Sequence, residues 1–434
     1  MCPTRNDQRS SCPGDPKSAK SLVCEPVTAA KSLDRLIENS FPSFGGAFLR
    51  RIWELLDAAI GSGVPMTLSV SGPVTLSGQV HTWLGPLIDT GWFAYISTTD
   101  AACYHDGHRA LDSAADHPFH EVEIFGDDGQ LRDERTIRVT DIGFDEDVLL
   151  EQDRFLRAVL RQPEFNRRMT GTEMRYLLGR RFAAQERANN IEPGLLARCW
   201  KMGIPIFVGA PADGSVFLNS VDLWTRQELG GDSYNFDLDL HKEVFESCAY
   251  HRWGLRESET GALGTLILGG GVPKNFNLQP EPALSQILGL DDVSGYLYDI
   301  QITTAPITDG SLSSCPPSEA VTWGKVDKDN YRKTCESFQC DYTIVMPFLA
   351  KALLDKRARF EGLAEKLGRD TLFERHPEAR GYLRSRAGYR LFDHRDELMD
   401  KLFSDLRENQ TQSSASCEYP LATPEPDPFA DQQN

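Results

Sequence analysis

The feature that most constrains the fold is a series of short apolar runs, each followed by a loop of small or polar residues and then by an amphipathic segment. This alternation is typical of a parallel β-sheet whose strands are joined by helices. The predicted strands are residues 66–70, 92–98, 204–209, 264–268 and 297–304. Parallel strands present their carboxyl ends at one edge of a sheet, so the loops that follow them predict one shared ligand site.

The chain divides into four predicted regions. We expect a flexible N-terminal arm and first helix over residues 1–42, and a Rossmann-like α/β catalytic domain over 43–350. Residues 351–408 predict a C-terminal helical appendage, and residues 409–434 are a polar, proline-containing stretch that predicts a disordered tail. Within the catalytic domain, the charged stretch 126–138 predicts a solvated excursion from the core.

Composition excludes several classes of partner. The chain has 46 Lys and Arg against 64 Asp and Glu, a net charge of −18, which argues against nucleic acids and anionic membranes. No apolar run is long enough to cross a bilayer, and no signal peptide is visible. The ten cysteines are scattered without a Cys-x-x-Cys pair, which indicates a reducing compartment. We therefore expect a soluble cytoplasmic protein.

The loops after the predicted strands carry groups that can hold a nucleotide. Residues 71–78 (SGPVTLSG) offer hydroxyls and backbone N–H groups at a helix start, and residues 269–271 are three glycines. Asp-Gly-Ser occurs at 213–215 and again at 309–311, where a carboxylate can accept from ribose hydroxyls. Each loop also has a simpler interpretation as a tight turn. None is the G-x-G-x-x-G fingerprint, so any dinucleotide site lacks the usual signature.

The segment SEAVTWGK, residues 318–325, is the most unusual in the chain. It brings an acid, Glu319, and an indole, Trp323, close to Lys325. Most lysines are solvated surface groups, and that remains the alternative here. An apolar wall beside the amine would remove water from it and lower its pKa, as Schiff-base chemistry requires.

Histidines provide a competing hypothesis, a metal-dependent hydrolase of a guanidino or amide substrate. The sequence DLDLH at 237–241 adds carboxylates to the clustered residues His105, Asp106, His108, His117 and His120. Mixed histidine and carboxylate sites bind divalent metals, but no HExxH motif is present. We therefore predict no metal.

These motifs together resemble the deoxyhypusine synthase family. SEAVTWGK with the DGS before it resembles the family's active-site segment, and LILGGGVPKN, MTLSVSGPVTLSG, ISTTDAA, GAPADGS and CDYTIVMPFL resemble its other blocks in the same order. The resemblance spans roughly residues 43–350. It implies a Rossmann-like fold, and a homotetramer with NAD at a dimer interface. It also implies aminobutyl transfer from spermidine through a lysine imine, to a translation-factor lysine or, in homospermidine synthases, to putrescine.

Carried over residue by residue, the resemblance implies that Lys325 forms the imine. Glu319 and Trp323 then belong to the polyamine pocket, with Glu319 as a catalytic acid. The residues that it places on the cofactor side are Thr75, Ser77, Thr99, Asp213, Gly269, Gly270, Gly271, Asp309, Ser311 and Asp341.

Three departures separate this chain from the protein-modifying enzymes. Asn275 stands where those enzymes have a histidine, and Leu218 and Leu312 stand where they have acids that contact substrate amines. This pattern resembles the bacterial deoxyhypusine synthase-like branch. We expect these three residues in the substrate pocket, and a free small amine as the acceptor, putrescine first and agmatine-type amines second. A true deoxyhypusine synthase and an inactive NAD-binding homologue remain alternatives.

Overall fold

A parallel sheet lies at the centre of the protein. The structure, a computed structural model, describes residue 22 and residues 24–111 and 119–412. The six strands of the sheet are β1 Met66–Val70, β2 Phe93–Thr98, β3 Ile206–Val208, β4 Gly264–Leu268, β5 Tyr298–Thr303 and β6 Cys335–Gln339. They lie side by side in the order β3-β2-β1-β4-β5-β6, and every neighbouring pair is parallel. The predicted α/β fold is therefore confirmed, with the strand order of a Rossmann sheet.

Five of these strands match the predicted apolar runs, whereas β6 was not predicted. The sequence of β6 is CESFQ, and only Phe338 in it is buried. Most of β6 is only partly covered, so its sequence does not carry the apolar run from which a buried strand is recognised, whereas β3, at the opposite edge, is fully buried and does.

Helices cover both faces of the sheet. All five residues of β1 and of β4 are buried. Alternate side chains of β4 belong to different clusters: Leu266 and Leu268 pack in the large core with Trp53, while Ile267 packs on the opposite face. Burial on both faces explains the continuous apolar sequence of these strands.

The C-terminal helices belong to this core. The helix Tyr342–Leu367 crosses the predicted boundary between residues 350 and 351 without a break. The last helix, Arg395–Gln412, packs against Leu240–Arg256, with the rings of Phe245 and Phe403 stacked 4.2 Å apart. The C-terminal helices thus contribute to two core clusters: Leu353 and Tyr382 belong to the large core, and Leu402 belongs to the cluster that contains Phe207. The division into domains stays a prediction.

The helix Arg395–Gln412 also enters the predicted tail, since it continues to residue 412. Residues 413–434, and residues 1–21 of the predicted arm, lie outside the described residues. The excursion at 126–138 is mostly exposed, as predicted, but it is not irregular: it contains the helix Asp128–Asp133 and the start of a small antiparallel sheet.

The remaining elements connect these parts. The strands outside the main sheet are His120–Glu121, Thr136–Val139, Ile142–Asp145, Arg168–Met169 and Asp237–Leu238. The α-helices are Leu33–Ser40, Phe44–Gly61, Pro73–Leu76, Gly85–Ile88, Asp100–Leu111, Asp128–Asp133, Glu146–Leu160, Gly171–Ala188, Leu195–Met202, Ser215–Glu228, Leu240–Arg256, Gly271–Asn277, Pro280–Pro282, Pro317–Ala320, Tyr331–Thr334, Tyr342–Leu367, Arg369–Arg375, Ala379–Tyr382 and Arg395–Gln412. Short 3-10 or π turns lie at Val27–Ala29, Val80–Leu84, Pro163–Phe165, Pro211–Asp213, Ala283–Ile287, Val321–Trp323 and Leu391–His394.

Candidate active site

The chain reverses direction across the sheet between β1 and β4, and such a switch point is where open α/β sheets bind ligands. Ser71 follows β1 and Gly269 follows β4. A side-chain carbon added at Gly269 would lie 3.2 Å from Oγ of Ser71. The same Oγ lies 3.4 Å from the hydroxyl of Tyr342, on the helix after β6. The loops after β1, β4 and β6 therefore meet at this edge.

A cleft of about 400 Å³ opens at the same edge, between the loops that follow β1, β2 and β3. It is lined by Gly72, Pro73, Thr99, Ala101, Tyr104, His105, Asp213, Gly214 and Ser215. Oγ1 of Thr99 is buried and has no hydrogen-bond partner among the described residues. An unsatisfied hydroxyl, a glycine wall at Gly72 and an exposed carboxylate at Asp213 fit a hydroxylated and phosphorylated ligand such as NAD.

The glycine run after β4 is shaped for close approach. Gly269 and Gly271 have φ angles of +92° and +65°, in the region that favours glycine. Gly270 packs against the loop after β5, where an added side-chain carbon would lie 2.6 Å from the carbonyl oxygen of Ser313. Nothing lies within 4 Å of the corresponding position at Gly271, so that side of the run is open.

Two of the predicted cofactor residues are engaged with their own helix in this structure. The hydroxyl of Thr75 donates to the carbonyl of Gly72 at 3.4 Å, and that of Ser77 donates to the carbonyl of Pro73 at 2.8 Å. Their backbone still follows β1 at the switch point, and their contact with a cofactor stays a prediction.

The predicted aspartates after β5 and β6 have local partners as well. The carboxylate of Asp309 accepts from the backbone N–H and the hydroxyl of Ser311, and these hydrogen bonds lower the pKa of Asp309. Asp341 caps the helix Tyr342–Leu367 by accepting from the N–H of Thr343 at 2.9 Å. These assignments to NAD therefore remain predictions.

Lys325 is half-buried and lies in the crossover between β5 and β6. Its Nζ lies 5.6 Å from the centroid of the Trp323 ring. Burial lowers the pKa of Lys325, and the nearby Cys315 and Glu281 act in the opposite direction. The amine is thus partly removed from water, as the sequence predicted.

The backbone of Lys325 does not lie in a carboxyl-end loop. Its carbonyl accepts from the N–H of Tyr296 at 3.0 Å, two residues before β5 begins. The prediction of one convergent site at the carboxyl ends therefore describes the cofactor loops only. The lysine enters from the crossover, because the chain must return to the amino end of the sheet before β6.

Sequence reasoning missed the residue that lies against this segment. Glu281 is buried, and its Oε2 has no hydrogen-bond partner among the residues that the structure describes. A side-chain carbon added at Gly324 would lie 2.5 Å from that oxygen. Burial raises the pKa of Glu281, while Lys325 and a hydrogen bond to Ser285 lower it. Its only signal in the sequence is an acid between two prolines in an otherwise apolar stretch.

A second missed residue is Lys274, which is buried against the loop that precedes Lys325. Its Nζ donates to Oε1 of Gln301 at 3.0 Å and to the carbonyl of Cys315 at 2.7 Å. Burial lowers the pKa of Lys274, and the neighbouring charge of Asp299 raises it. Burial also raises the pKa of Asp299 to about 6. The predicted acid Glu319 acts on the same lysine from the helix before Lys325.

The predicted substrate residues face outward in the protomer. Trp323 is 57% exposed, Leu312 is 64% exposed, and Leu218, on the helix beside the cleft, is 56% exposed. Asn275 is exposed, and its Oδ1 accepts from Nε2 of Gln279 at 3.4 Å. Trp323 therefore shields one side of the lysine, while its own ring stays largely exposed to solvent.

The histidine cluster is occupied by structural contacts. Nδ1 of His105 lies 2.8 Å from Nε2 of His108. The carboxylate of Asp106 accepts from the N–H groups of Leu195 and Leu196, each at 2.8 Å. His117 lies outside the described residues. Across residues 24–111 and 119–412 no group of three metal-ligating side chains comes together.

The sheet order, the glycine-lined cleft and the partly shielded lysine define the class of the protein, an α/β protein of Rossmann topology with a candidate ligand cleft at the switch point. The profile of the deoxyhypusine synthase family matches residues 37–353. A "Deoxyhypusine synthase-like protein" of Cyanothece sp. is 40% identical over 78% of this chain and 82% of its own length. One of Nostoc sp. is 33% identical over 93% and 98%. "Probable deoxyhypusine synthase 2" of Methanosarcina mazei is 30% identical over 60% and 68%.

The chain therefore belongs to the deoxyhypusine synthase family, as its motifs predicted. Members of this family are transferases that move an aminobutyl group, use NAD and are generally oligomeric. In the part of the chain that the structure covers, no helix is both long enough and apolar enough to span a bilayer.

Proposed function

We propose that this protein is an NAD-dependent aminoalkyl transferase of polyamine metabolism that works through an imine on Lys325 and builds homospermidine, or a related polyamine, from small amines. The observation that carries the proposal is the half-buried amine of Lys325 beside Trp323, in a chain that belongs to an aminobutyl-transferring family. Partial burial favours the neutral amine, which is the nucleophile.

The cleft at the switch point is the proposed NAD site. Thr99, Asp213 and the glycines at 269–271 would hold the dinucleotide, with Thr75, Ser77, Asp309, Ser311 and Asp341 around it. Bound there, NAD supplies a hydride acceptor for the carbon next to the substrate nitrogen. The chain's own groups do the rest: Lys325 captures the oxidised carbon, and Trp323 limits the access of water to it.

A small acceptor is supported by the three positions at which this chain departs from the protein-modifying enzymes. Leu218 and Leu312 offer no charge to an ammonium group, and Asn275 is neutral and cannot act as a base near neutral pH. An ammonium without a partner meets a desolvation cost, so a long triamine or a protein-borne lysine is disfavoured. Putrescine is the first candidate and agmatine-type amines are the second.

We also propose a homotetramer with NAD sites at a dimer interface, in the cytoplasm. Large apolar side chains stay exposed near the lysine and along the helix after β6: Trp323, Leu312, Ile344 and Phe348. Large apolar side chains that stay exposed in a protomer are typical of contact sites between subunits. The described cysteines are free thiols, which supports a reducing compartment.

The test supplies NAD with putrescine or agmatine in one reaction, and NAD with spermidine and a hypusine-precursor protein in another, and identifies the products by mass spectrometry. We expect a new polyamine in the first. Efficient labelling of the protein with no product from the small amines would instead identify a deoxyhypusine synthase. No product in either reaction, from protein shown to bind NAD, would favour the inactive homologue.

A further inference from the structure

We infer that Glu281 is the proton acceptor for Lys325, the group that takes the ammonium proton from Nζ and returns it to the amine that leaves. The inference rests on the proposed function, because it concerns the step in which Lys325 forms its imine. It assigns a role to a residue outside the family motifs, in a chain that lacks a base at position 275.

The position of Glu281 is the first argument. Its carboxylate lies flat against Gly324, the residue before Lys325: an added side-chain carbon there would lie 2.5 Å from Oε2 and 2.7 Å from Oε1. Gly324 also has a φ of +77°, so the backbone bends around the carboxylate. No other residue type fits this place without displacing Glu281.

The second argument is the unpaired carboxylate oxygen of Glu281. Glu281 is 5% exposed, and its Oε2 has no hydrogen-bond partner among the described residues. Burial of an unpaired carboxylate oxygen normally costs stability. An orphaned acceptor that packs against the residue before a reactive lysine has a purpose if it takes a proton from that lysine. The side chain of Ser285 hydrogen-bonds to the carboxylate of Glu281.

The charged surroundings assign this task to Glu281 and not to its neighbours. The titratable groups around the pocket are Cys315 and Lys325 in the crossover, Glu319 on the helix before it, Lys274 on the helix after β4, and Asp299 on β5. Asp299 and Glu319 act on Lys274, and Glu319 also bonds to the thiol of Cys315. Glu281 is the carboxylate that acts on Lys325 itself.

The step balances without a further reagent. Nζ of Lys325 gives a proton to Oε2 of Glu281, and the freed electron pair forms a C–N bond with the electrophilic carbon of the substrate. The departing nitrogen takes that proton from Glu281, and Nζ gives its second proton to the same carboxylate. The electron pair left on Nζ closes the C=N bond of the imine as the bond from the carbon to its original nitrogen breaks, and the departing amine takes the second proton from Glu281. No oxidation occurs here, since the hydride has already been removed in the preceding step.

The experiment measures imine formation without NAD. Butyraldehyde and cyanoborohydride are added to the full-length protein across pH 5–10, and the alkylated Lys325 peptide is followed by mass spectrometry, with exposed Lys328 as the internal control. We compare the wild type with Glu281→Gln, with Glu281→Asp, and with Asp291→Asn as a matched exposed carboxylate. Thermal unfolding checks that each variant is folded.

We expect Glu281→Gln to slow the trapping of Lys325 by about 100-fold near neutral pH and to remove the acid limb of the profile. Glu281→Asp should retain that limb, with slower trapping, and Asp291→Asn should match the wild type. Faster trapping in Glu281→Gln would mean that the carboxylate only holds the ammonium form, and equal trapping would mean that it does not act on Lys325. Either result overturns the inference.

If Glu281→Gln does not fold, Glu281→Asp provides the test. Trapping of Lys325 at the wild-type rate in that variant would contradict the role of Glu281 as proton acceptor. The proposed function fails separately, when no amine with NAD yields an adduct although butyraldehyde still does.

Discussion

The Nζ of Lys325 lies 5.6 Å from the centroid of the Trp323 ring, and the two side chains are separated along the chain only by Gly324. A cation at this distance from an indole is weakly attracted to its face, while the ring removes water from one side of the amine. This arrangement suits a lysine that must be held in place and must still become neutral.

Replacing Lys325 by Ala should therefore abolish formation of a covalent adduct when the amine donor, NAD and cyanoborohydride are supplied. Lys325→Arg should not restore it, because a guanidinium stays protonated. The free energy of unfolding should change by less than about 1 kcal/mol, since the amine is half-exposed. Lys328→Ala is the control for a nearby lysine. An adduct on another residue, with transfer intact, would contradict the covalent route.

Thr99→Val tests the cleft at the switch point. Loss of the hydroxyl should weaken NAD binding about fivefold, which corresponds to a hydrogen bond worth about 1 kcal/mol. The unliganded protein should be as stable as the wild type or slightly more stable, because its buried Oγ1 has no partner to lose. Isothermal calorimetry and thermal unfolding measure the two effects. Thr82→Val, at an exposed position, should change neither, and unchanged NAD affinity in Thr99→Val would exclude Thr99 from the site.

Gly324→Ala should destabilise the protein by about 1–3 kcal/mol and reduce transfer, since it strains a φ of +77° and collides with the carboxylate of Glu281. Gly362→Ala is the matched control: it lies within the helix Tyr342–Leu367 with open space around it, so the change should stabilise by about 0.5–1 kcal/mol. Denaturant unfolding gives both values. If Gly324→Ala changed neither stability nor transfer, residues 318–325 would be able to adopt another backbone conformation.

The contribution of Glu186 to stability should fall as the pH rises from about 5 to 8. Burial, with Asp106 nearby, raises the pKa of Glu186 to about 8, far above its ordinary value near 4.5. Between these values the folded protein holds a proton that the unfolded chain releases, so folding is favoured at low pH. Asp106, whose pKa is raised to about 6, contributes in the same direction.

Glu186→Gln should flatten this slope and stabilise the protein at pH 8 by about 1–3 kcal/mol. Urea unfolding at several pH values measures the change, with Glu228→Gln as an exposed control. A slope that is unchanged in Glu186→Gln would place its origin elsewhere.

Leu312→Asp should move the substrate preference toward spermidine. Leu312 has a φ of +58°, a conformation that Asp adopts more readily than Leu, so stability should not fall. A carboxylate at this place can pair with an ammonium group, and kcat/KM for spermidine should rise about tenfold, the equivalent of about 1.4 kcal/mol. Ile307→Asp, in the same loop, is the control. An equal rise in both variants would indicate a general effect of charge.

Much of the fold could be predicted from the sequence alone. The five apolar runs of the sheet, the loops that follow them and the segment that carries Lys325 are local patterns, and local patterns are enough to predict buried parallel strands and to recognise the family. The edge strand β6 was missed because one buried residue, Phe338, leaves no such pattern.

Tertiary structure alone decided which residue packs against the segment that carries Lys325. Glu281 and Gly324 are 43 positions apart, and their contact exists only because two crossovers pack on the same part of the sheet. The packing of the helix Arg395–Gln412 against the helix Leu240–Arg256 was decided in the same way. Contacts between distant segments depend on the path of the chain through space, and neither periodicity nor spacing within a segment records that path.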